Sequence, residues 1–521
     1  QLVATGFNRC NVTTGEGGSI DAEWHFRNAV DRAAVASETW LGLTAGCAQC
    51  HDHKFDPITA KDFYSLYAFF YSAAGSPLDG NVLLHEPSVK LSTPEQEKAL
   101  ADFDAKIAKL NVDIAAIKPE PKNVAALVGF AAGTRQSPLI KTRTALTAER
   151  KKLDDTIPGS MIFRDAPTPR QAHIMLRGQY DKPGEKVEPD SPHFLPPMKK
   201  AAARGNRLDF ANWIVGPENP LTARVYVNRL WQQFFGTGLA KNANDFGAQG
   251  EPPTHPELLD WLAASFRDGG WDRRALVKML VTSAAFRRSS QVGPELLKLD
   301  PENRLLARGP RFRLDAEQVR DNALFVGGLL NPTLGGKGVR PYQPDNIWEP
   351  VAYTGSNTRN YKPDTGSALY RRSLYTFFKR TAPPPFLANF DAPNREQPCS
   401  RRDRSNTPLQ ALQLMNDVQH VEAARALAER LIAEGGATPA ERIAFAFQIL
   451  LSRPPTSEES RIVIGALEAH LARYTKSPAD AKKLIAIGET KPNATMQPAE
   501  LAAYTMIATL LLNLDETLTR N

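Results

Sequence analysis

Forty prolines, set against 34 glycines, place the first limit on how this 521-residue chain folds. Proline fixes one backbone dihedral and carries no amide hydrogen. It is therefore confined to first helical turns, rigid loops and sheet edges. Such a chain predicts many sharply started helices joined by stiff connections, and few ladders. The rest of the composition is that of an ordinary globular protein, with 42% hydrophobic and 23% charged residues. At this length a single hydrophobic core does not suffice, and roughly two to four domains are expected. No apolar run reaches the ~18 residues that a membrane span requires, so none is expected. The formal charge of +7, from 64 basic and 57 acidic residues, is too small for its size to be a nucleic-acid signature.

Local signals then place the elements. Thr59 with Asp62 reads as a capping start for KDFYSLYAFF, whose aromatics Phe63, Tyr64, Tyr67, Phe69 and Phe70 are expected in a core. Upstream, apolar residues from Phe26 to Cys50 recur at three-four spacing. Thr93 with Gln96 caps a helix over 94–109, and a second helix over 142–156 would pair with it as an antiparallel hairpin. TPRQAHIMLRGQY suggests short strands and DKPGEKVEPDSPHFLPP a Pro-rich loop. From Asn206 the chain is dense in helical signals: NRLDFANWIV, LTARVYVNRLWQQFFG closed by Gly236, and PELLDWLAASFRD capped by Thr254 and Glu257. Asp315 with Gln318 opens another helix, and Thr407 with Gln410 one more. RRSLYTFFKR reads as a strand, while VEAARALAERLIA and LAAYTMIATLLLNL read as amphipathic helices. The expected class is mainly α: helical domains with a few short strands and long Pro-rich loops.

The chemistry concentrates in one motif. Four cysteines, Cys10, Cys47, Cys50 and Cys399, cannot staple a chain of this size. Cys47-Ala-Gln-Cys50-His51, however, has the CxxCH arrangement of haem c attachment. Thioethers from Cys47 and Cys50 would grip the haem and His51 would be the proximal iron ligand. The opposite face would be open, or ligated by His25, His85, His173, Met161 or Met175. His53 lies too close in sequence to His51 to reach that face, and is a further candidate metal ligand. Zinc is the alternative cofactor, held by the same cysteines with His51 or His53 and a fourth ligand from Cys10, His25 or Asp52. A redox disulfide and a purely structural cysteine pair also remain open.

Elsewhere the signals are weaker. Arg395, Arg401, Arg402 and Arg404 crowd DAPNREQPCSRRDRSNTP, and guanidinium forks suit carboxylate or sulfate groups, which makes acidic or sulfated polysaccharides a candidate partner. Gly335-Gly336-Lys337-Gly338 lacks the spacing and the hydroxyl residue of a nucleotide loop. No GxSxG, HExxH or kinase motif is present.

Several long stretches resemble one family. ATGFNRCNVTTGEGG, ETWLGLTAGCAQCHDHKFDPITAKDFYSLYAFF, NRLDFANWIVGPENPLTARVYVNRLWQQFFGTGL, NDFGAQGEPPTHPELLDWLA and LYRRSLYTFFKRTAPPPFLANFDAPNRE are similar to the planctomycete-type multidomain proteins built from DUF1549 and DUF1553. The resemblance covers about residues 1–80 and 200–521. It implies three segments: 1–84 as the C-terminal part of a DUF1549-like domain, 85–200 as a variable region, and 201–521 as a DUF1553-like domain. It also implies an exported protein of the periplasm or cell envelope, acting around polysaccharide degradation. Many members carry an upstream cytochrome-c-like domain and a secretory signal; the chain opens QLVATGF without an initiator Met and reads as a fragment or processed product. The expected function is a c-type haem protein in electron transfer or haem-dependent oxidation, with the upstream cytochrome domain or another redox protein as partner. Two alternatives stand beside it: a glycan-binding scaffold with a Cys/His zinc site, and a haem-free polysaccharide hydrolase or lyase.

Overall fold

The computed structural model describes residues 1–82, 84–116 and 137–520. In chain order its helices and strands are α1 (Asp21–Ala36), α2 (Ala60–Tyr71), β1 (Ser88–Lys90), α3 (Pro94–Ala116), α4 (Ser137–Thr156), β2 (Gly159–Met161), β3 (Ala172–Met175) and β4 (Pro183–Val187). There follow α5 (Arg207–Ile214), α6 (Thr222–Phe235), α7 (Pro256–Asp268), α8 (Arg273–Thr282), α9 (Pro294–Leu299), β5 (Phe312–Arg313), α10 (Ala316–Val326) and α11 (Pro385–Asn389). The last are α12 (Pro408–Asn416), α13 (Val418–Glu434), α14 (Pro439–Leu451), α15 (Ser457–Lys476), α16 (Pro478–Ile485), α17 (Pro498–Leu512), α18 (Asp515–Leu518) and β6 (Thr519–Arg520). The strands make three two-stranded antiparallel ladders among the described residues: β1 with β2, β3 with β4, and β5 with β6. The protein is mainly α with short strands, as its proline content predicts. Pro256, Pro294, Pro408, Pro439, Pro478 and Pro498 each stand in the first turn of a helix, where the missing N–H has no partner to lose.

The chain packs as two compact units, one of residues 1–10 with 73–167 and one of 11–72 with 168–521. These cut across the segments bounded at 84 and 200: the CxxCH segment packs with the large helical part. In the smaller unit α3 and α4 lie antiparallel, with Arg150 forking onto Asp104 and Arg143 reaching Asn111. Thr93 and Gln96 exchange the two bonds of a capping box. Residues 117–136, between these helices, lie outside the described residues.

The larger unit holds the main cores. The most extensive has α13 and α17 at its centre, both buried nearly all round, with Leu427, Ala428, Leu501 and Ile507 fully enclosed. A second joins α6, α7 and α8 through Val227, Trp231, Leu262 and Leu276. A third gathers Ala316, Val319, Leu387, Leu414 and Leu518. The aromatic run of α2 is buried as expected, from Phe63 to Phe70.

Three local expectations are corrected, while the periodic stretch from Phe26 to Cys50 is helical in successive pieces. It passes from α1 through a π turn (Ser37–Leu41) to Gly42 at φ +63°, where a Cβ would meet Val225 and Phe246 within 2.9 Å. RRSLYTFFKR is not a strand: Asp321 takes both the N–H and the hydroxyl of Ser373 at 2.7 Å and holds a 3-10 turn there, leaving only isolated bridges at Arg371 and Thr376. The Pro-rich loop contains β4, because Ala172 and His173 pair with Val187 and Lys186. Helix α7 is preceded by His255 as its N-cap, without a side-chain cap, and Thr254 meets the His255 ring instead, at 3.0 Å.

Candidate functional site

The CxxCH motif lies on a 3-10 turn, Ala45–Gln49, that follows Gly42. In a 3-10 helix residues three apart eclipse one another. Ala45 and Ala48 therefore share the inward face, 1% and 0% exposed, while Cys47, on the turn, and Cys50, its C-cap, are free and exposed. From beneath, the buried Tyr64 of α2 donates its hydroxyl to Gln49 O at 2.9 Å, which ties the turn to the aromatic core. Burial raises the Tyr64 phenol well above its ordinary value, so it stays a donor. The tip of the β3–β4 hairpin passes close above: a Cβ at Gly178, whose φ is +68°, would lie 2.8 Å from Cys50 Sγ.

His51 is exposed, and its Nδ1 lies 2.7 Å from Asp52 O. A carbonyl only accepts, so Nδ1 carries the proton and Nε2 keeps its lone pair as a ligand atom. Asp52 is itself anchored, its Oδ1 accepting the Ala60 N–H of α2 at 2.7 Å. The order is thus α2, Asp52, His51, with the imidazole oriented by backbone, as ligating histidines generally are.

His53 is turned inward, its side chain 3% exposed, and Nδ1 accepts the Asp56 N–H at 2.9 Å and the Phe55 N–H at 3.4 Å. Asp56, also buried, accepts the Ala248 N–H at 2.7 Å through Oδ1, while its Oδ2 has no hydrogen bond. His53 therefore holds the loop behind the motif and does not join His51. The fourth zinc ligands expected from sequence are engaged elsewhere: Asp52 at α2, His25 at Arg170 Nη2 (3.2 Å) and Cys10 at Gly6 O (3.6 Å). Among the described residues no group of three His, Cys, Asp or Glu side chains is placed to hold a metal ion.

The expected distal ligands are dispersed. His85 and Met161 belong to the smaller unit, where His85 meets Arg9 at 3.0 Å. Met175 is buried on β3, and His173 pairs opposite Lys186. His25 is pushed down to about 4, first by burial and then by the charge of Arg170. That shift has one sign. Between about pH 6.5 and 4 the unfolded chain takes up a proton that the folded chain refuses, so stability falls as pH drops through this window. With partial exposure discounted, a loss of about 1–2 kcal/mol is expected. Urea midpoints at both ends of the window should show it, and His25→Gln, which keeps an acceptor for Arg170, should flatten it.

The four arginines do not converge as an open cationic patch. Arg402 forks onto Glu317 at 2.5 and 3.2 Å, and Arg404 lies 3.5 Å from Asp315 and over the Phe312 ring. Arg395 lies over the Phe378 ring, and Arg401 is exposed, 3.7 Å from Asp403. Arg402 and Arg404 line a shallow cleft, with room for about 10 Å³, together with Arg313, Asp315 and Gln410. Sequence reasoning missed Arg313 and Gln410, which come from 70 or more residues away or from a helix start with no charge to mark it. It also missed Asp31 and Glu38, on α1 and the π turn, whose carboxyls burial pushes upward. A helical face with two acids carries no signal of burial by itself.

No helix among the described residues is long and apolar enough to cross a membrane. No curated protein matches the chain, and no solved structure does. Residues 1–74 match PSCyt2, described as "Protein of unknown function (DUF1549)". PSD1, described as "Protein of unknown function (DUF1553)", matches residues 206–467, just over half of the chain, and the protein belongs to this family.

Proposed function

We propose that Cys47, Cys50 and His51 form a c-type haem attachment site, and that the protein serves one-electron transfer or haem-dependent oxidation. One observation carries the reading: two free thiols are exposed, Cys47 on a 3-10 turn and Cys50 as its C-cap, and the next residue presents Nε2 with its lone pair free because Nδ1–H is given to Asp52 O. The donor set fits the group. Cys47 and Cys50 would hold it by thioether bonds, and His51 would ligate the iron. When bound, haem supplies a one-electron couple whose potential follows its axial ligands and its burial.

The chain's own part is positional. Tyr64 fixes the height of the turn through Gln49 O, Asp52 fixes the rotation of the imidazole, and the Gly178 backbone limits the space beside Cys50. Placement in the periplasm or cell envelope, a redox partner, and a task around polysaccharide breakdown are parts of the same proposal and come from the family resemblance.

The test is a pyridine haemochrome spectrum on protein exported with the c-type maturation system. Covalently retained haem is expected in the wild type, with essentially none in C47A/C50A. His51→Ala should keep the thioethers and alter the axial ligand spectrum. One equivalent of zinc and no haem in the wild type would overturn the reading.

A further inference from the structure

Two large apolar side chains stand in solvent beside Cys50 and His51. Phe55 is 51% exposed on the loop that follows His51, and Leu176 is 55% exposed at the tip of the β3–β4 hairpin. The loop is tight, because the His53 N–H bonds Ile58 O at 2.8 Å and leaves residues 54–57 as its tip. The hairpin tip is tied to the motif itself: Gln49 Nε2 donates to Gly178 O at 3.4 Å, and the Leu176 N–H closes the tip on Lys182 O at 2.9 Å. Phe55 is five residues from Cys50, which limits their separation to about 18 Å. A standard protein interface covers about 800 Å² of each partner, roughly 30 Å across, so one partner reaches from the loop to the hairpin tip.

The charge around these two side chains is one-sided. Lys54, Arg177 and Lys182 are exposed and form no ion pair among the described residues; Lys54 Nζ lies 5.2 Å from the centre of the Phe55 ring. The neighbouring carboxylates are mostly spent. Glu185 is neutralised by Lys61 at 2.9 Å, Asp52 accepts the Ala60 N–H, and Asp56 is buried, which leaves Asp181 as the unmatched acid of the hairpin tip. Exposed apolar groups with a charged rim are the make-up of a protein interface, and cations without partners steer an acidic surface toward it. A polyanion needs no apolar contact, so Phe55 and Leu176 favour a folded partner over an acidic polysaccharide.

We propose that this face docks an acidic one-electron carrier protein, with Phe55 and Leu176 in its apolar contact and Lys54, Arg177 and Lys182 at its rim. That the partner carries electrons rests on the haem reading of Cys47, Cys50 and His51; the docking of an acidic protein does not.

Calorimetric titration of the full chain, haem-free and haem-loaded, with oxidised plant-type ferredoxin as the acidic probe tests it, beside lysozyme as a basic protein and alginate as an acidic polysaccharide. Ferredoxin is expected to bind both forms with a dissociation constant on the order of 10 µM at low salt, and about tenfold more weakly in about 0.2 M salt. K54E/R177E/K182E should weaken it about tenfold or more, and K54E/K182E is the second variant should the triple one fail to fold. F55A/L176A should weaken it about threefold or more and leave its salt dependence unchanged, since no charge is removed. R273E/R274E/K278E makes the same charge change on exposed positions of α8 and should bind as the wild type does. Ferredoxin binding that survives K54E/R177E/K182E, or no binding at all, would overturn the docking face. Alginate binding lost in that variant, with no ferredoxin binding, would overturn it in favour of a polysaccharide site. A chain that takes up no haem yet docks ferredoxin through these residues would uphold the face and overturn its redox purpose alone.

Discussion

Glu422→Ala is expected to remove about 3–5 kcal/mol of folding stability, although Glu422 belongs to no ladder and no candidate site. Its side chain is wholly buried on α13. Oε1 accepts from the Tyr370 hydroxyl at 2.9 Å, the Thr490 N–H at 2.7 Å and the Thr490 hydroxyl at 2.6 Å, while Oε2 accepts from the Tyr342 hydroxyl at 3.1 Å. One turn on, Arg425 is 1% exposed and donates to Glu429 at 2.7 Å and to Thr490 O at 2.8 Å. Removing the carboxylate leaves four donors without an acceptor and a buried guanidinium without the counter-charge 3.8 Å away, and this is the costly way to break a buried polar network. The carboxylate in turn holds both tyrosines as donors, since burial and the adjacent charge raise their phenols, Tyr342 to about 12. Glu422→Gln keeps the shape but turns an NH2 toward one of the donors, so about 1–2 kcal/mol is expected of it. Equilibrium urea unfolding of both variants decides the matter: a loss below about 1 kcal/mol for Glu422→Ala would mean that water takes over the acceptor role.

This network also marks where reading the sequence ends. VEAARALAERLIA has the charges of an amphipathic helix, and a solvated face is the natural expectation for Glu422 and Arg425. Their partners arrive from the loop at 488–490, whose Gly488 leaves room that a Cβ would close to 2.3 Å from Glu422. Nothing within one helical turn announces that loop. Signals confined to one turn were legible: Thr59 with Asp62, Thr93 with Gln96, Asp315 with Gln318 and Thr407 with Gln410 all cap the helices they predict. Burial of the α2 aromatics was legible too, because five large rings in eight residues have nowhere else to go. The CxxCH spacing was legible as chemistry, but the turn that turns both thiols outward was not. Its geometry depends on Gly42 meeting Val225 and Phe246, nearly two hundred residues away in the chain. The arginine cluster was legible as a crowd and misleading as a patch, because Glu317 and Asp315 sit on a helix that only the fold brings to it.

The same kind of long-range contact supports the proposed haem site, and there it yields the second large effect. Gly247 lies against Asp56 so closely that a Cβ would sit 2.4 Å from Oδ2 and 2.6 Å from Oδ1. Its backbone is not in the left-handed region, so the cost of Gly247→Ala is steric alone; about 2–3 kcal/mol is expected, the scale of overpacking a closed site. Asp56→Ala loses the charged acceptor of the Ala248 N–H, at 2.7 Å, and should cost about 1.5–3 kcal/mol. In the double variant the new methyl enters space that the carboxylate has left. Its cost should fall below the sum of the single variants by about 1 kcal/mol or more. The Asp56 side chain ties the loop that follows His51 to the Ala248 N–H, so either single variant loosens that loop, and alkylation of Cys47 and Cys50 in the haem-free protein should quicken. Strict additivity in unfolding measurements, with unchanged thiol reactivity, would show that Asp56 and Gly247 act apart and that this loop does not support the motif.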